Sequence, residues 1–150
     1  MNRRLFWINL LILLLFILDR SLKKFALEGA TKEIYFFNFS LSTNPNIALG
    51  IPLKGIFFYF LLTIILFWVV LKLIKSYQQR NLVSVSCLTL ILVGAFSNLL
   101  DRWKHGLVID YFDLPFVAVF NMADLMILVG VIILIWQIII LDYPRFIKKR

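Results

Sequence analysis

Cysteine occurs once, at position 87, and histidine once, at position 105, in a chain of 150 residues. A single thiol excludes an intramolecular disulfide, and one histidine without paired cysteines offers no zinc spacing, so no metal or other cofactor is expected. Glycine (6) and proline (4) are sparse, and no linker or internal repeat divides the chain, so one domain over 1–150 is expected. The chain also lacks an HExxH helix, a glycine-rich phosphate loop and a Ser/His/Asp order of a known kind. Acids are few, with eight Asp and Glu against sixteen Lys and Arg.

Apolar residues fill the space. They make up 62% of the chain and mean hydropathy is +0.93, whereas soluble domains are nearer half apolar. They fall in long blocks rather than at amphipathic spacing, so the solvent is a bilayer. Four blocks have the length of a spanning helix, at about 5–23, 55–73, 82–100 and 122–141. The first, after MNRR, looks like a secretory signal peptide. No small-x-small site follows Leu18, the next residues being DRSLKK, so it reads as a retained helix with Asp19 and Lys23 at its outer end. Cys87, inside LVSVSCLTLILVGAF, reads as a small packing residue. The expected fold is an all-α integral membrane protein, a four-helix transmembrane bundle with a small β-like extracytoplasmic cradle.

Charge sets the orientation. With both termini cytoplasmic, the inner segments hold nine Lys/Arg and only one acid, Asp142, whereas the outer segments hold seven of each sign. The positive-inside rule favours that arrangement. The excess cations flank spans, where anionic headgroups are their partners, so no nucleic acid is implied. In the outer segment 24–54, EIYFFNFSLS suggests a strand or hairpin lying on the membrane, with Asn44, Pro45 and Asn46 marking a turn.

Seven of the eight acids thus fall on one face. Asp19 and Asp101 close the first and third spans, Asp124 opens the fourth, and Asp110 and Asp113 lie in the connection leading to it. Ionisable residues in spans are costly and point to function. Plainer readings stand beside this. Asn121-Met122-Ala123-Asp124 has the pattern of a helix cap; Asp101-Arg102 reads as a solvated ion pair; His105 reads as a surface residue. The remaining chemistry is that of paired carboxylates, which share a proton and can activate water while polarising a carbonyl.

Five blocks then form a pattern: Asp19-Arg20-Ser21-Leu22-Lys23, Asn44-Pro45-Asn46-Ile47-Ala48-Leu49-Gly50, Ser97-Asn98-Leu99-Leu100-Asp101-Arg102, Val108-Ile109-Asp110-Tyr111 and Phe120-Asn121-Met122-Ala123-Asp124. In order and spacing the chain resembles the lipoprotein signal peptidase (signal peptidase II) family. That family carries D-x-x-x-K, N-x-G-A-A-F, G-N-x-x-D-R, V-V-D-F and F-N-x-A-D. Ser97 and Asn46 stand where the family usually has Gly, and Leu49 where it has Phe. The resemblance implies a membrane aspartic endopeptidase that cleaves bacterial prolipoproteins before the diacylglyceryl-modified lipobox Cys. It implies Asp110 and Asp124 as the catalytic pair, and Asn44, Asn98, Arg102 and Asn121 as residues that hold the substrate. It further implies Asp101 as support for Arg102, Asp19 and Lys23 as positioning residues, and segment 33–53 as a cradle over the substrate. The implied partners are prolipoprotein signal peptides and the bilayer, with the chain a monomer. The implied location is the bacterial inner membrane, with the site on the outer face. A channel or proton-relaying transporter would also place acids in a membrane, but at mid-span and without use for Asn98 and Asn121. An assembly subunit would leave the acids individually replaceable.

Overall fold

The computed structural model describes residues 2–34, 37–44, 56–115 and 118–142. Four helices long and apolar enough to cross a membrane dominate it. Helix α1 covers Asn2–Leu27, α2 Ile56–Gln78, α3 Leu82–His105 and α4 Met122–Gln137, the last continuing as a π-helical turn over Ile138–Asp142. In lipid the backbone must satisfy its own hydrogen bonds, and a helix does so within one segment. The expected spans are all present, but α1 and α3 run longer than their apolar cores. Leu22, Lys23, Lys24 and Ala26 are good helix formers, so α1 continues past Lys23. It stops at Gly29 (φ 86), where Ala30 N–H donates to Phe25 O at 3.0 Å. Asp19 and Asp101 are therefore inside their helices rather than at the ends.

Helix α3 has caps at both ends. The Asn81 side chain accepts from Ser84 N–H, and Gly106 takes the left-handed conformation (φ 75) with its N–H on Arg102 O. It packs most extensively on α4 and also touches α1 and α2. Two glycines let the pair approach. A Cβ at Gly94 would fall 2.6 Å from Ala123 O, and one at Gly130 would fall 2.7 Å from Ile91 Cγ1. Close backbone approach through small residues is how helices associate where lipid removes the hydrophobic drive.

Strands β1 (Lys32–Ile34), β2 (Phe37–Asn44), β3 (Val108–Leu114) and β4 (Ala118–Phe120) form one antiparallel sheet in that order. The expected strand in the first outer segment is present. The second outer segment, read from sequence as a connection, supplies the other two strands, so the cradle is built from both. Ring pairs Phe37–Phe112, Phe39–Tyr111 and Phe112–Phe120 lie 5.4–5.6 Å apart across neighbouring strands. Val108, Ile109, Asp110 and Tyr111 are buried in succession, so β3 is covered on both faces. Segment 45–53 of the expected cradle lies outside the described residues.

The interior has inverted polarity. Phe6, Trp7, Phe60, Phe67, Trp68 and Trp136 point outward, each more than half exposed. Asp19, Lys23, Asp101 and Asn121 are fully buried, with Ser97, Asn98 and Asp110 close to it. These buried polar residues gather at the end of the helices that the sheet covers.

Candidate active site

Asp19 and Lys23 are one turn apart on α1; on α3, Asp101 lies four residues after Ser97 and three after Asn98. Such spacing puts each set on one helical face, and the two faces meet. Lys23 Nζ sits 3.1 Å from Asp19 Oδ2 and 2.6 Å from Asp101 Oδ2, and donates to Asn98 Oδ1 at 3.0 Å. Arg20 donates to the other Asp101 oxygen and to Ser97. Ser97 Oγ in turn donates to Asp19 Oδ2 at 2.5 Å. Two carboxylates thus face two cations, and a buried charge is tolerable only when paired and hydrogen-bonded in this way.

The start of α4 joins this cluster to β3. Asp124 N–H donates to Asn121 Oδ1 at 2.9 Å and Asp124 Oδ2 accepts from Asn121 N–H at 3.4 Å, a full capping box. The cap expected from sequence is real. It leaves Asp124 Oδ1 to accept from Asn98 Nδ2 at 2.7 Å. Asn121 Nδ2 donates to Asn98 Oδ1 at 3.1 Å and to Asp110 Oδ1 at 2.7 Å. The two amides therefore run as a bridge from Asp124 to Asp110. Their orientation is determined by charge. The Lys23 ammonium needs an oxygen from Asn98, which turns the amide NH2 toward Asp124; the Asp124 N–H needs an oxygen from Asn121, which turns its NH2 toward Asp110.

Tyr111 ties the assembly together. Its hydroxyl donates to Asp19 Oδ1 and accepts from Met122 N–H, both at 2.9 Å. Burial, and then the negative charge of Asp19, push the phenol well above its usual range, so it remains a neutral donor.

The structure brings Asp19, Lys23, Asn98, Asp101, Asp110, Asn121 and Asp124 into one hydrogen-bonded group. Asp101 is not a solvated partner at the surface; it is fully buried and takes Lys23 and Arg20. Arg102 lies half-buried beside the group and donates to Asn98 O at 3.5 Å. Asn44 ends β2 opposite Val108, and its side chain lies outside the described residues, as do Asn46 and Leu49. Asp113 pairs with Asn38 further along β3, and His105 is exposed at the end of α3. Sequence reading missed Arg20, Tyr111 and the hydroxyl of Ser97. Arg20 carried a signal, since a cation beside a span-embedded Asp invites pairing; Tyr111 carried none beyond its place after Asp110. Among the described residues no three His, Cys, Asp or Glu side chains are grouped as a metal site.

The profile of the family described as "Signal peptidase (SPase) II" matches residues 11–140. The chain belongs to the signal peptidase II family. Among its relatives is the lipoprotein signal peptidase of Pelagibacter ubique, 35% identical over 147 residues, covering 89% of each chain. That of Buchnera aphidicola is 32% identical, covering 90% of this chain and 96% of the other. That of Moorella thermoacetica is 36% identical over 70% of each. A solved bacterial membrane enzyme at 2.3 Å resolution superposes with a TM-score of 0.73 at 26% identity, covering 88% of this chain and 87% of that one. Membership makes this multi-pass protein a peptidase, and the polar group just described is where its ionisable side chains converge.

Proposed function

We propose that this peptidase removes the signal peptide from bacterial prolipoproteins, with Asp110 and Asp124 as a proton-sharing pair. The observation that carries this reading is the amide bridge from Asp124 through Asn98 and Asn121 to Asp110. It ties two carboxyl groups from different elements, β3 and α4, into one hydrogen-bonded unit. One carboxylate takes a proton from the attacking water; the protonated one donates to the peptide carbonyl as the tetrahedral intermediate forms. Collapse then passes a proton to the leaving nitrogen, and the pair returns to its starting state. Lys23, Asp19 and Asp101 position the bridge and stay out of the proton transfers. Arg102, Asn44 and the outward edges of the two asparagines take up the substrate backbone, which must unwind to be attacked and would otherwise leave polar groups unmet in lipid.

The scissile bond precedes the diacylglyceryl-modified Cys, whose acyl chains lie in the bilayer between spans. The charge count puts both termini in the cytoplasm and the site at the outer face of the inner membrane. The chain acts as one domain and as a monomer. Grouping of the acids at one end of the helices, under a sheet, suits a surface-depth peptide bond and does not suit a path running through the membrane. The test is cleavage of a diacylglyceryl prolipoprotein by the purified protein in detergent, beside Asp110→Asn and Asp124→Asn. Asparagine keeps shape and capping but cannot exchange the proton. Each variant is expected to fold and to lose about 10³-fold or more in kcat. Near-full activity in either would remove that residue from the pair.

A further inference from the structure

A second polar feature lies at the opposite end of the helices. Ser84 and Ser97 are thirteen residues apart on α3, roughly 20 Å along its axis, and Ser84 borders a cavity of about 450 Å³ between α2, α3 and α4. Lys72 and Lys75 of α2 line it, with the capping Asn81 and the amide of Gln137. Among the described residues no acidic side chain lines it and neither lysine meets a carboxylate. The first turn of α3 contains no acid either, so its exposed amide ends add positive potential. Lys72 Nζ is held 5.0 Å from the centre of the Trp68 ring, at the cavity wall.

Gln137 adds a neutral polar group to the same wall. It is about nine-tenths buried in an apolar helix, its Oε1 accepts from Ser84 Oγ at 3.1 Å, and it lines the cavity beside the two lysines.

We propose that this cavity binds the phosphodiester of an anionic phospholipid headgroup. The acceptor oxygens would meet Gln137, the α3 amides and both ammonium groups. Leu88, Leu134 and Ile138 form the apolar part of the same wall and would receive the start of the acyl chains, which a free phosphate lacks. Volume and lining suit a small ligand site, and basic pockets between spans are how headgroups are held.

The experiment is native mass spectrometry of the full chain in detergent, with phosphatidylglycerol, with phosphatidylcholine of the same acyl chains, or with inorganic phosphate. Phosphatidylglycerol should be retained on the order of tenfold over phosphatidylcholine. Lys72→Gln with Lys75→Gln should abolish the preference, Gln137→Leu should weaken it severalfold, and Arg3→Gln with Arg4→Gln should leave it unchanged. Lys72 and Lys75 are exposed, so folding is not at risk. Equal retention of the two lipids, or equal loss in both double variants, would overturn the site as diffuse surface charge. Displacement of the lipid by millimolar inorganic phosphate would overturn the lipid assignment in favour of a soluble anion.

Discussion

Lys23 Nζ lies 3.0 Å from Oδ1 of Asn98, so a fully buried ammonium bears on the amide whose NH2 donates to Asp124. The positive charge of α1 thereby orients a group on α3 that holds a carboxylate on α4. Three spans are committed to one side-chain geometry.

Removing Lys23 and removing Asn98 should therefore fail differently. Lys23→Met leaves Asp19 and Asp101 short of a buried partner and should cost about 3–5 kcal/mol of stability, read as a lowered Tm in detergent. Asn98→Ala should cost less stability and lower kcat by about 10- to 100-fold, since the bridge between Asn121 and Asp124 is lost while Lys23 keeps both of its carboxylate partners. A Lys23→Met protein as stable as wild type would refute the buried-pair account.

The pH dependence of kcat/KM should be bell-shaped, with two apparent pKa values that belong to the Asp110–Asp124 pair rather than to either residue. Cleavage of a synthetic lipopeptide across the acid range checks this. A single-limbed profile would be inconsistent with a shared proton.

Tyr111 predicts an alkaline limit to stability. Its folded pKa is raised, so its contribution is complete below the ordinary phenol value near ~10. Above that, the unfolded chain ionises while the folded chain does not, and stability falls as pH rises. Tyr111→Phe should lower stability at neutral pH by about 1–3 kcal/mol, because Asp19 and Met122 N–H each lose a partner. Its alkaline decline should be shallower by up to ~1.4 kcal/mol per pH unit. Unfolding monitored from neutral to alkaline pH separates the two effects.

Gly94→Ala places a Cβ against the Ala123 carbonyl, one residue before Asp124. The α3–α4 approach must widen, which should cost about 1–3 kcal/mol and reduce cleavage as Asn98 and Asp124 draw apart. Thermal unfolding together with initial rates tests it. A change in stability without a change in rate would mean that the widening is absorbed away from the site.

The sequence was clear about spans and about the cap at Asn121–Asp124, because these depend on local composition and on short motifs. Pairing was another matter. Asp101 stands beside Arg102 in sequence, yet it faces α1 and takes Lys23 and Arg20, since adjacent residues on a helix point in different directions and i,i+4 faces meet across helices. Ser97 counted only as a departure from Gly in the family pattern, until its hydroxyl was seen between Asp19 and Arg20.

By itself, then, the sequence determined the membrane location, four spanning helices and the crowding of Asp, Asn and Lys toward one end, because hydropathy and spacing are one-dimensional properties that the bilayer reads directly. The tertiary structure decided which amide faces which carboxylate, that β3 and β4 complete the sheet, and that the other end holds a basic cavity. Those depend on how helices from distant parts of the chain approach, and no local pattern encodes that distance.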